Sequence, residues 1–186
     1  MAEVKGTAVS VTPEYVKARF GESGQRRWLE SLSPAAQAIF SRTIYPHLWF
    51  PLELGFVEPT RKICELFHGG RSLGAIDVGR FSAERALRGI YKFFVRLGSP
   101  ESLIERASSV FATYYRPCRM EGIPMGKGKV ALRIFDFPEI HTLVEARVEG
   151  WVLRAMEISG CKDIQVNVTA SLTRGDPCTE LQVGWR

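Results

Sequence analysis

What constrains this 186-residue chain most is a change of hydrophobic period near residue 115. Before it, apolar residues recur at helical spacings. Ile76, Phe81, Leu87, Ile90, Phe94 and Leu97 predict a helix over 75–97, and Leu103, Ile104, Ala107, Val110, Phe111 and Tyr114 form one apolar stripe of a second. After it, the alternation of a half-buried strand takes over: Val130, Leu132 and Ile134 against Ala131, Arg133 and Phe135. Strands are expected over 115–123 and 129–136, joined at the glycine-rich turn Pro124–Gly128, followed by a helix over 139–159. Two more alternating runs, Ile164–Leu172 and Glu180–Trp185, flank the turn Thr173–Pro177. The order helix, strand, strand, helix, strand, strand, with hairpin connections, requires antiparallel pairing. The predicted class is α+β: an antiparallel sheet of about four strands with helices packed on it, preceded by a helical N-terminal half.

That half carries repeated start and stop signals. Thr12-Pro13-Glu14 and Ser33-Pro34 pair a hydroxyl cap with proline at the first helical position, and Ser99-Pro100-Glu101 does so again. Gly21, Gly69-Gly70 and Gly98 read as stops. The segment 45–51 holds Pro46 and Pro51 among aromatics and reads as a connection, before a helix over 52–67. No linker-like composition occurs near 98. Residues 1–186 are therefore expected to form one domain, with a helical region over 1–97 and a mixed helix-and-strand region over 98–186.

The helix over 139–159 is expected to be core. Ile140, Leu143, Val144, Val148, Trp151, Val152, Ala155 and Met156 share a face, while Glu145, Arg147, Glu149, Arg154 and Glu157 read as its solvated side.

Composition removes several function classes. The chain is 45% hydrophobic and 24% charged with a net charge of +5, an ordinary folding balance whose diffuse positive charge forms no nucleic-acid-binding stripe. The apolar run at 44–56 is interrupted by two prolines and Glu53, and no membrane span is expected. With no signal-peptide pattern at the N-terminus, a cytoplasmic location and free thiols are expected for Cys64, Cys118, Cys161 and Cys178.

Motifs for chemistry are sparse. Gly126-Lys127-Gly128 lacks the phosphate-loop spacing and reads as a hairpin, and Arg174-Gly175-Asp176 reads as a turn. His47, His68 and His141 are each isolated, and no Gly-x-Ser-x-Gly elbow is present. The aromatic residues are more informative, because Phe111, Tyr114, Tyr115, Phe135, Phe137 and Trp151 come from elements expected to meet at one interface, either as plain core or as the wall of an apolar pocket.

The stretch 159–185, with its helix end, Gly160, a strand, the Arg174-Gly175-Asp176-Pro177 turn and a closing strand, resembles the end of the 4-vinyl reductase domain. That family is similar in fold to the haem-nitric-oxide-binding domain and to subunits of the Golgi transport particle. The resemblance covers about 98–186. It implies an antiparallel sheet with helices on it, often dimeric, enclosing a small-molecule pocket. Aromatic-sensing members hold zinc with cysteines at positions that align with Ser171 and Thr179 here, with Cys178 displaced by one residue. The haem-binding branch carries a Tyr-x-Ser-x-Arg signature that this chain lacks. Neither zinc nor haem, and no other cofactor, is therefore expected.

The expected function is a non-enzymatic sensory module. It would bind a small apolar or aromatic molecule between core helix and sheet through Phe111, Tyr114, Phe135, His141, Trp151 and Met156, and act as a homodimer through a partner protein. The alternative is a dimeric interaction scaffold with a vestigial pocket, suggested by Trp28, Trp49 and Phe50, which read as exposed.

Overall fold

The computed structural model describes residues 1–88 and 109–186. The helix start at Ser99-Pro100-Glu101 and the end of the helix read over 75–97 lie outside the described residues. The N-terminal region comprises β1 (Glu3–Lys5), α1 (Gly6–Val9), α2 (Val11–Ser31), α3 (Pro34–Phe40), β2 (Trp49–Pro51), a π-helical turn (Glu53–Val57), α4 (Glu58–Phe67) and α5 (Leu73–Arg88). Residues 109–114 are helical and lead into β3 (Tyr115–Arg116), β4 (Arg119–Pro124), β5 (Lys129–Phe135), α6 (Thr142–Ile158), β6 (Gln165–Ala170), a 3-10 turn (Leu172–Arg174) and β7 (Thr179–Gly184).

Of the starts read from the sequence, Ser33-Pro34 acts as expected, whereas Thr12 does not cap a helix: α2 begins at Val11 behind Ser10, with no side-chain cap, and Thr12 is buried within it. The Ser33 hydroxyl accepts the Ala36 amide and opens α3 behind Pro34. At Gly21, φ is +70° and ψ is −172°, which breaks α2 into two helical stretches; the chain resumes its helix and runs on to Ser31. Glycine makes that break possible, because an L side chain is strained there.

The expected four-stranded sheet is present in the order β4-β5-β7-β6, antiparallel throughout. Beside it lies a second sheet that the sequence pattern does not disclose. β1 is its centre, paired with β2 (Val4 opposite Phe50) and with β3 (Val4 opposite Tyr115). The strand expected over 115–123 is split after Arg116, and its first part is β3; β1 and β2 are three residues long, too short for alternation to betray them.

α6 sits between the helical region and the sheet. On α5, a Cβ at Gly79 would overlap the carbonyl of Arg147; on α6, a Cβ at Gly150 would overlap the carbonyl of Ile76. These two glycines let the helix backbones touch. α6 is consequently buried on more than one side, and the expectation of a solvated Glu145 and Arg147 is corrected. Both are buried, 5% and 3% exposed. Two residues on a helix are about 200° apart, and the pair points in opposite directions. Glu145 meets Ser171 and Thr179 at the end of the large sheet, and Arg147 meets Thr12 of α2 and Thr60 of α4.

A second apolar cluster joins Tyr15, Val16, Trp28, Leu32, Ala36, Ile63 and Val78. Trp28, read as exposed from sequence, is buried and donates its indole N–H to the Pro59 carbonyl at 3.0 Å. Trp49 and Phe50 are half-buried in β2, and the guanidinium of Arg116 covers the Trp49 ring at 4.2 Å. The aromatic surface on which the scaffold alternative rested is therefore largely internal.

Candidate functional site

Beneath α6 the packing is not complete. A cavity of about 300 Å³ is bounded by α1 and the start of α2 (Ala8, Val11), by α5 (Gly79, Ala86), by residues 109–114, by β4 and β5 (Met120, Leu132) and by α6 itself (Val148, Val152). Its walls are mostly apolar. At one end, Glu14 and Arg85 line it while paired at 2.9 Å on the surface, with side chains 48% and 59% exposed. Arg147, which also lines it, is buried.

Three of the six residues expected to touch a ligand line this cavity: Phe111, Tyr114 and Trp151. Phe111 packs at 4.9 Å from Tyr115, whose ring lies edge-on to Phe56 at 5.5 Å, so an aromatic corner closes that side. The other three lie elsewhere. Phe135 is at the sheet surface under the Arg119 guanidinium, 4.5 Å away. Met156 is in the core, 1% exposed. His141 caps α6, its Nδ1 accepting the Leu143 amide at 3.0 Å. Burial, then the nearby charge of Arg61, lower the His141 pKa, so the neutral ring serves as the acceptor.

Phe56, Tyr115 and Arg147 also line the cavity, and sequence reasoning did not select them as ligand contacts. Arg147 gave no signal, because an arginine between apolar helix positions reads as a surface group. Its Nη1 donates to the Thr12 and Thr60 hydroxyls at 3.2 and 3.1 Å, and its guanidinium lies over the Phe56 ring, 3.7 Å from the centroid. Burial pulls its pKa down to about 10, which leaves it cationic at neutral pH. Burial also pushes up the Tyr115 phenol.

Thiol chemistry finds little support here. Burial raises the pKa of Cys64 and takes that of Cys118 to about 12, holding both as neutral thiols. The zinc-aligned positions Ser171 and Thr179 do come together, but as hydroxyls that both donate to Glu145 Oε1 at 2.6 Å. Among the described residues, no group of three histidine, cysteine or acidic side chains is placed to hold a metal. No helix among them is long and apolar enough to cross a membrane.

No family model and no curated protein matches this sequence. Solved structures do match in fold. An H-NOX protein from S. oneidensis in the Fe(II)NO ligation state superposes with a TM-score of 0.76 at 17% identity, covering 98% of this chain and 99% of that one. The H-NOX domain from Shewanella oneidensis in the Fe(II)CO state gives 0.68 at 15% identity, covering 98% of both chains. The unliganded Fe(II) H-NOX protein from K. algicida gives 0.71 at 6% identity, over 98% of this chain and 96% of that one. The chain has the H-NOX fold, one of the folds to which the sequence resemblance extended.

These neighbours overturn one expectation. Proteins sharing this fold over nearly their whole length are solved with ferrous iron, so the expectation of no cofactor does not stand. The donors this chain offers are nevertheless unlike a histidine-held iron site. His47 lies in the exposed connection before β2, His68 ends α4 within 3.3 Å of the Tyr15 hydroxyl, and His141 caps α6. None lines the cavity, and among its described residues the phenols of Tyr114 and Tyr115, the thioether of Met120 and the Arg85-paired carboxylate of Glu14 are the side-chain groups nearest in kind to an iron ligand.

Proposed function

We propose that this protein is a sensory ligand-binding module that takes a small, largely apolar molecule into the cavity beneath α6 and passes its occupancy to a partner protein. The observation that carries the reading is the cavity itself: an apolar hollow of about 300 Å³ within an H-NOX fold, walled by Phe111, Tyr114 and Trp151. An occupant would touch α1, α5, residues 109–114, β4, β5 and α6 together. Filling the hollow would therefore alter how the helical region seats against the sheet, a change that a second protein, or a second copy of the chain, could read. The kinship with 4-vinyl reductase domains suggested by residues 159–185 belongs to the same reading, since those domains also enclose a pocket.

Thermal unfolding against a panel of apolar and aromatic molecules, with native mass spectrometry of the purified protein, tests it. A ligand at about one hundred times its Kd adds about 2.7 kcal/mol of stability, and the mass spectrum reports any retained molecule and the oligomer. A visible absorption spectrum of the same sample reports an iron group directly. Absence of both a retained molecule and any ligand-induced shift rejects the proposal.

A further inference from the structure

We infer that the cavity is built for an organic acid, a monocarboxylate with an apolar tail whose carboxylate pairs with Arg147. The inference rests on the receptor reading above and names the ligand class of that site.

Arg147 carries a buried charge that has no counter-ion among the described residues. Arg147 is 3% exposed and cationic, yet among the described residues no carboxylate lies within ion-pair distance of it. Glu145, the nearest acid in sequence on α6, faces the other way and accepts from Ser171 and Thr179. A buried guanidinium is ordinarily paired, because desolvating it alone is strongly unfavourable. Two hydroxyls and a phenyl face relieve part of that penalty without neutralising the charge.

The unused donors lie on the cavity side. Only Nη1 of Arg147 bonds to protein among the described residues. Every fully buried side-chain nitrogen and oxygen among them has a partner. The Nε and Nη2 groups, which have none there, are therefore not sealed in protein, and the open space beside them is the cavity that Arg147 lines. The Tyr115 hydroxyl is in the same position, on a residue that lines the cavity and shares the Phe56 ring with Arg147. The site thus offers a planar fork of N–H donors plus one phenol, and otherwise apolar walls.

This arrangement selects a ligand chemistry. The guanidinium edge matches the two oxygens of a carboxylate, and the apolar walls match an alkyl or aryl tail extending toward the mouth. There, the Glu14 carboxylate already occupies Arg85. A neutral apolar molecule of the same length would leave the guanidinium uncompensated.

Isothermal titration with decanoate and with decanol on the intact protein separates this inference from the reading beneath it. Decanoate is expected to bind roughly ten- to a hundredfold more tightly than decanol, the range for a charge-assisted hydrogen-bonded contact. Arg147→Met is expected to lose decanoate affinity to the level of decanol, and Arg147→Lys to keep part of the preference. Equal binding of acid and alcohol by the unaltered protein overturns the inference and leaves the receptor reading standing. Binding of neither overturns the inference, and the wider panel of apolar and aromatic molecules then decides the receptor reading. Should Arg147→Met not fold, as circular dichroism would show, the acid-to-alcohol ratio in the unaltered protein and in Arg147→Lys decides. A lysine variant with no acid preference overturns the inference.

Discussion

Glu145 and Arg147 stand two residues apart on α6, and each is buried with no opposite charge in contact among the described residues. They do different work. Glu145 is structural: its Oε1 collects the Ser171 and Thr179 hydroxyls, and these in turn accept the Thr173 and Leu172 amides, so one carboxylate ties the turn between β6 and β7 to α6. Glu145→Ala strands those hydroxyls and is expected to destabilise the fold by about 2–4 kcal/mol in urea unfolding, whereas Glu145→Gln, which keeps an acceptor, loses less. Glu180 illustrates the opposite setting. Hydrogen bonds from Thr169, Gln182 and Arg133 pull its pKa from 4.5 to about 2. A depressed carboxylate contributes stability above its unfolded pKa and loses it as pH falls through the folded one. Unfolding free energy should therefore decline between pH 4.5 and about 2, and Glu180→Gln should flatten that acid limb while lowering stability at neutral pH. Neither role was legible from the sequence. A carboxylate or guanidinium on a helix has no pattern that marks it as buried, because its partners come from positions remote in the chain. Phe111, Tyr114 and Trp151 were legible as a group, since their spacing already placed them on faces that had to meet.

At the scale of elements, the reciprocal approach of α5 and α6 through Gly79 and Gly150 sets the spacing of two cavity walls. Gly150→Ala places a methyl group against the Ile76 carbonyl, rigid backbone that cannot swing aside. The expected loss is about 1–3 kcal/mol or more, read as a lower midpoint in chemical denaturation, with weaker ligand binding as the walls part. The helices and the four long strands could be read from period and caps, because each pattern is local. The small sheet could not, since β1 is specified only by what it lies between. The π-helical turn at Glu53–Val57 was similarly hidden. It occupies the first turns of the stretch read as helix over 52–67, and one extra residue per turn barely alters the apolar spacing.

For the molecule as a whole, the cavity is where the helical region and the large sheet share an apolar boundary without filling it. Ala86→Phe projects a ring from α5 into that space. It should abolish binding of any cavity ligand while leaving the circular dichroism spectrum unchanged; retained affinity would place the ligand elsewhere. The three-stranded sheet has a consequence of another kind. Its central strand, Glu3–Lys5, lies far from β3 in sequence, and the side chains of Glu3 and Arg116, which clasp between the two, are 113 positions apart. On the ribosome, β1 emerges long before β3, one of its two neighbours, has been translated. It must wait with its backbone half unpaired, so this corner of the molecule closes late in synthesis, and whatever stalls elongation before Tyr115 leaves the nascent chain with an open β-edge.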